Sequence, residues 1–363
     1  MRKYIQSIVL SLLVLFSTNV AAKGTIEASA INLLKEKFKE DQSNLVLSDL
    51  SIVFATDMLA NGAQGKALKE LTTFFDAALD EKNKELQSKL QNLPKTLEIT
   101  NSIWGDIASS YQTKLQNLFN VDVMPLPEHT SVINNWINEK THGKIPTVLT
   151  PEETDPLQLY LVNTIYFKDN WKTSFEKDAT REQVFYALSG QSKKVPMMHK
   201  ELKVEYAENT KLQSIKLPYK NGGSMVIYLP KEGVDFKEFI SKLSEEDLNL
   251  NYVSVKVSVS LPKFKIDKQT DVIPLFKELG VNEIFNKRTH DLSAITGIDA
   301  YVDKIAHRAV VEIDEEGTEA AAAAAIRVVE RGMAPKPRIF EANRPFLFFI
   351  TQGDFIGIYT GDE

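Results

Sequence analysis

The 363-residue chain is 43% hydrophobic and 25% charged, with a formal net charge of −6 and no cysteine. Such a composition is that of an ordinary globular protein; its mild acidity gives no electrostatic reason to expect nucleic acid or an anionic membrane surface as partner. Without disulfides, stability outside a reducing compartment has to come from a large apolar core.

Met1 to Ala22 read as a secretory signal. Arg2 and Lys3 supply the positive start, Ile8 to Phe16 the apolar run, and Val20-Ala21-Ala22 the small-residue cleavage site. The rival reading, a membrane anchor, is disfavoured because that run is shorter than the ~20 residues a bilayer requires. The mature chain is then expected to begin at Lys23 and to be secreted. It contains no Asn-x-Ser/Thr acceptor for N-glycosylation.

Thr25 can cap a helix reaching about Glu40, with Ile31, Leu34 and Phe38 on one face. A short strand from Asn44 leads into a helix capped by Ser48 and stopped near Gly62. Helical patterns recur at Lys66 to Phe75, Glu81 to Leu93 and Ser131 to Thr141, with strands at Leu97 to Trp104 and Val121 to Leu126. Leu157 to Phe167 is nearly unbroken apolar sequence, which fits a strand buried on both faces.

Several short strands occupy Gln183 to Leu229, with turns at Ser189-Gly190 and Asn221-Gly222-Gly223. Asp235 to Leu248 reads as helical. Val253, Val255, Val257 and Val259 alternate with polar residues, the pattern of a half-buried strand. A helix is predicted from Thr270 to Leu279, then strands over Tyr301 to Glu315, Ile339 to Phe349 and Phe355 to Tyr359. Length alone favours two domains. No repeat, linker or composition shift divides the chain, however.

Catalytic signatures are missing: there is no Gly-x-Ser-x-Gly elbow, no His-Glu-x-x-His, no phosphate-cradling glycine motif and no cysteine nucleophile. The five histidines, His129, His142, His199, His290 and His307, show no metal-ligand spacing. His307 lies in an apolar strand, where a hydrogen-bonded core role is commoner than catalysis. An enzyme is not expected, nor a metal or cofactor.

The most informative stretch is Asp314 to Pro337. After the acidic turn ending at Gly317 come Thr318, Glu319 and six alanines, Ala320 to Ala325. Propensity favours a helix here. Alternate residues Thr318, Ala320, Ala322, Ala324, Ile326 and Val328 would equally line one face of a strand, leaving Glu319 and Arg327 for solvent. A loop from Gly317 to about Ile339 is long for a compact domain, and such loops are usually functional or disordered; the alternation of small side chains argues for function.

At these residues the sequence resembles the serpins. Their hinge, acidic-x-Gly-Thr-Glu-Ala-Ala, is matched by Glu315-Glu316-Gly317-Thr318-Glu319-Ala320-Ala321, followed by the small Ala322. A downstream Asn-x-Pro-Phe is matched by Asn343-Arg344-Pro345-Phe346. Asn44 to Ile52, Asn61 to Gly65, and Leu261-Pro262-Lys263-Phe264 match further family motifs, in family order, from about residue 25 to the C-terminus. One departure is Asp49, where the family usually has proline; both suit a first helical turn.

The resemblance implies an α+β serpin fold. It would be a single domain over 23–363, with a large mixed or antiparallel main sheet, further sheets, about eight or nine helices and an exposed reactive-centre loop. It implies that Ser48, Ser51, Asn163 and His307 form a gating cluster under the main sheet. Trp171 is expected to mark the loop's entry point, with Lys263 paired to Glu315. It further implies a suicide substrate: a protease cuts the loop, whose N-terminal part inserts as a new strand. By family spacing the residue before the cut stands fourteen beyond Gly317, which is Arg331, and fourteen before Pro345, again Arg331. Arg331-Gly332 is therefore the expected reactive bond, and a trypsin-like serine protease the expected partner. Arg327, Lys336 and Arg338 are rival sites with the wrong spacing. Gly332 departs from the commoner serine. A non-inhibitory carrier or chaperone is the alternative, disfavoured because such members usually carry bulky, charged or proline residues at the hinge. No dense Lys/Arg stripe indicates a glycosaminoglycan cofactor, and a monomer is expected.

Overall fold

The computed structural model of the protein describes residues 28–119, 121–155, 157–317 and 336–362. The first half runs α1 (Ala28–Glu40), β1 (Leu45–Ser48), α2 (Asp49–Ala60), α3 (Gly65–Phe75), α4 (Leu79–Gln91), β2 (Leu97–Trp104), α5 (Ser109–Phe119), β3 (Asp122–Met124), α6 (Ser131–Lys140) and β4 (Gln158–Phe167). Then come β5 (Arg181–Tyr186), β6 (Ser192–Glu208), β7 (Leu212–Pro218), β8 (Ser224–Pro230), α7 (Phe236–Ser241), α8 (Glu245–Leu248), β9 (Val253–Pro262), β10 (Phe264–Asp271) and α9 (Ile273–Glu278). The last elements are α10 (Ser293–Thr296), β11 (Tyr301–Ile313), β12 (Arg338–Glu341), β13 (Phe346–Ile350) and β14 (Phe355–Tyr359). Ten α-helices are thus present among the described residues, beside the eight or nine expected; α8 and α10 are single turns.

Two sheets carry the fold. One is five-stranded and mixed, in the order β10-β11-β4-β2-β3. The other follows β1-β14-β13-β8-β7-β6-β9-β12, with β5 added beside β6. Inside the five-stranded sheet, β11 pairs with β4 in parallel, while β10–β11 and β2–β4 are antiparallel. Strands β11 and β4 are direct neighbours, and β11 ends just before Gly317.

The apolar run of β4 has the two-sided burial its composition predicts. Leu159 and Leu161 enter one core with helices α1 to α5. Tyr160 and Val162 face the opposite side, with Ile133 and Ile137 of α6 and with Ala306 and Val310 of β11. Ile165 and Phe167 enter a third cluster shared with the other sheet. Each fully buried aliphatic side chain of this kind contributes about 1.5–3 kcal/mol. Helix α6 therefore roofs the seam between β4 and β11, pinned further by the edge-on pair Trp104–Trp136 at 5.4 Å.

Helix α2 starts where Ser48 caps it, its side chain accepting from the Ser51 N–H. Every residue of α2 is buried, so it is a core helix and not an amphipathic one. Asp49 occupies its first turn and accepts hydrogen bonds from the Ser29 hydroxyl at 3.1 and 3.2 Å.

Local pattern misplaced some boundaries. The helix predicted from Thr270 is a correction: Thr270 belongs to β10, and α9 begins only at Ile273. The cause is tertiary, because pairing with β11 in the register Thr270↔His307 overrides local helical propensity. Asp235 to Leu248 breaks into α7 and α8 around Ser244, whose capping box opens the second helix. Helix α5 was not anticipated, although its buried Tyr111, Leu115 and Phe119 recur at four-residue spacing. No described helix is long and apolar enough to cross a membrane.

Candidate functional site

Two groups of residues hold β11, one at its end and one at mid-length. The first grips the turn where the strand stops. Trp171 N–H donates to the Glu316 carbonyl at 2.9 Å and Phe175 N–H to the Glu315 carbonyl at 2.7 Å. The Trp171 indole N–H reaches the Asp314 carbonyl at 2.9 Å, and its ring stacks on Tyr219 at 4.6 Å. Gly317 bridges to Asn170 at a φ of 123°. A Cβ there would lie 2.4 Å from the Asp169 carbonyl oxygen and 2.5 Å from Trp171 N. Only glycine fits so close an approach.

Charge reinforces this grip. Lys263, at the junction of β9 and β10, places Nζ 2.7 Å from Glu315 Oε2. Thr180 Oγ1 donates to the other carboxylate oxygen at 2.7 Å. Burial alone would raise the Glu315 carboxyl, but these hydrogen bonds outweigh it and hold the group below its ordinary value. Neighbouring Glu316 pairs with Lys177 at 2.6 Å; that hydrogen bond raises the lysine above its usual range.

The second group lies beneath the seam. His307 of β11 and Asn163 of β4 are register partners, and Asn163 and Asn101 are partners across β4–β2. His307 Nδ1 is 3.0 Å from Asn163 Oδ1; on the other side of the ring, Ser48 N–H donates to Nε2 at 3.4 Å. An amide oxygen only accepts and a backbone N–H only donates. The neutral ring with its proton on Nδ1 therefore satisfies both contacts, whereas a second proton on Nε2 would face the Ser48 N–H. Full burial already pushes the ring down to about 4, so it is neutral at physiological pH.

Asn163 ties the cluster together. Its Oδ1 also accepts from the Ser51 hydroxyl, and its Nδ2 donates to the Ser51 carbonyl at 3.0 Å and to Asn101 Oδ1. Ser48 Oγ donates to the Gly353 carbonyl at 2.7 Å and accepts from Ser51 N–H at 3.2 Å. A continuous polar row thus links α2 to three strands of the mixed sheet.

The structure brings Ser48, Ser51, Asn163 and His307 together, and separately gathers Glu315, Gly317, Trp171 and Lys263. Thr318, Glu319, Ala320, Ala321, Ala322, Arg331 and Gly332 lie outside the described residues, as does the Met1 to Ala22 segment. Sequence reading missed Asn101, Thr180, Lys177 and Tyr219. None left a distinctive signal: Asn101 stands between the polar Thr100 and Ser102 in β2, where nothing in the sequence sets it apart. Among the described residues no group of three His, Asp or Glu could hold a metal.

Comparison with known proteins agrees with this geometry. A sequence model of the serpin family (serine protease inhibitor) matches residues 25–357. Serpin B6 of Pongo abelii is 33% identical over 93% of this chain and 96% of its own length. Leukocyte elastase inhibitor of Equus caballus is 33% identical over 88% of this chain and 93% of its own. The crystal structure of Serpin48 of the insect Tenebrio molitor superposes with a TM-score of 0.83 at 26% identity, covering 92% of this chain and 96% of that one. With the sheet order, the hinge and the seam already in place, these matches show that the chain belongs to the serpin family.

Proposed function

We propose that this serpin is a secreted suicide substrate of trypsin-like serine proteases, cut between Arg331 and Gly332. The observation that carries the reading is the seam. A chain that turns back at Gly317 and enters between β11 and β4 runs antiparallel to both. It would replace one parallel ladder by two antiparallel ones, and parallel pairing is slightly the weaker per residue. The small residues alternating from Thr318 to Ala324 suit the buried face of such a strand.

In this mechanism the protease serine attacks the Arg331 carbonyl carbon, the Gly332 amine leaves, and an acyl-enzyme ester remains. Insertion of Gly317 to about Val329 then carries the protease away before water completes hydrolysis. The driving force requires an intact state that is kinetically trapped. Leukocyte elastase inhibitor is named for elastase; an arginine at 331 directs this chain instead to a specificity pocket holding an aspartate. We read residues 23–363 as one unit released after removal of 1–22.

Mixing the full chain with trypsin and running a denaturing gel tests the reading. A covalent band near the summed masses and a released peptide beginning at Gly332 are expected. Cleavage without that band would turn the assignment toward a non-inhibitory carrier. A peptide beginning elsewhere would sink Arg331 as the bait.

A further inference from the structure

A cavity of about 340 Å³ opens beside the hinge, between the 171–175 segment, β6 and β7. Its floor is apolar: Trp171, Phe175, Leu202, Val204 and Leu217 line it, and all are buried. Lys172, Lys203, Glu201 and the exposed Thr173 form the mouth. The volume lies within the range of small-molecule sites, which are apolar with a few polar groups for orientation.

The charges at the mouth are unbalanced. Glu201 is already engaged by Lys256 at 2.5 Å. Lys172 and Lys203 have no ion-pair partner among the described residues. Lys203 moreover stands directly across from Lys256 in the β6–β9 register, and like charges so placed repel. The cavity therefore offers apolar lining residues beside two ammonium groups without an ion-pair partner among the described residues.

We propose that this cavity is a binding site for a small amphipathic organic anion, an aromatic carboxylate or sulfonate. Its ring would lie on Trp171 and Leu217, and its acidic group would sit between Lys172 and Lys203. The anion would supply the negative charge that Glu201, held by Lys256, does not. Two of the lining residues, Trp171 and Phe175, are also those whose backbone N–H groups hold Glu316 and Glu315.

Calorimetric titration of the intact full chain with naphthalene-2-sulfonate tests this without any protease, so its outcome is independent of the inhibitory reading. One saturable site is expected. Lys172→Ala and Lys203→Ala should each weaken it about fivefold, the upper end for an exposed charge pair. Raised salt should weaken binding to the parent chain more than to the double variant. Thr173→Trp, a change at an exposed position that fills the mouth, should abolish binding while leaving Tm unchanged. The neutral 2-naphthalenemethanol should bind the parent chain several-fold more weakly than the sulfonate. Equal binding of alcohol and sulfonate, full binding in both lysine variants, or no saturable binding would overturn the proposal.

Discussion

The seam and the hinge hold the same strand by opposite means. Under the seam, His307 and Asn163 are 0% and 1% exposed and every contact is a hydrogen bond between neutral groups. At the hinge, Lys263 is 35% exposed and the contact to Glu315 is an ion pair. Burial makes the first arrangement costly to disturb, because each orphaned polar group loses its partner without regaining water. The second is more forgiving on one side only: Lys263 can be rehydrated when released, while Glu315, its side chain 6% exposed, keeps the Thr180 hydroxyl as a second partner. Strand β11 is thus held firmly at mid-length and more lightly at its end.

Substitutions can break that contrast, beginning with the largest expected effect. Asn163→Ala would leave His307 Nδ1, the Ser51 hydroxyl and Asn101 without their shared partner. It should cost about 3 kcal/mol or more in denaturant unfolding. A loss below about 1 kcal/mol would show that the cluster is not holding β4 to β11.

Acid tests the same cluster with no change of sequence. The folded state keeps His307 at about 4, below its ordinary 6.5, so the unfolded chain takes up the proton first. The stability is present in full above about pH 6.5 and is lost as pH falls from there toward 4. The whole loss from this group would be about 3 kcal/mol. A His307→Gln variant should show a flatter profile between those pH values. An unchanged slope would mean that other groups govern the acid response.

Gly317→Ala probes the hinge. The side chain would meet the Asp169 carbonyl and require a left-handed backbone, so the turn should loosen at a cost of about 2 kcal/mol. Amide exchange at Trp171 and Phe175 should accelerate, while exchange in the middle of β4 stays slow. Equal acceleration at both places would erase the distinction between a light end and a firm middle. The smallest effect is expected from Lys263→Ala, about 1 kcal/mol or less, because Lys263 is part-exposed and Thr180 still donates to Glu315. A loss as large as that of Asn163→Ala would overturn the contrast altogether.

Much of this site was legible before any fold was known, and the reasons differ by residue. Ser48 could be placed as a cap because it precedes an apolar helix, a purely local signal. The hinge residues Glu315 and Gly317, and the pairing of Glu315 with Lys263, came from motif resemblance and not from periodicity. Thr180 left no trace: it lies 135 residues from Glu315 in sequence, and no local pattern encodes such a meeting.

By itself the sequence determined which segments could be buried on two faces, where the core helix starts, and that the stretch after Gly317 is built of side chains small enough to enter a sheet. Those properties follow from composition at short spacing, which sets periodicity and capping. Only the tertiary structure decided that Thr270 joins a strand, that a neutral histidine sits between an acceptor and a donor, and that two lysines share the mouth of an apolar cavity. Those outcomes depend on which distant segments become neighbours, and pairing across a sheet outweighs what any single segment prefers alone.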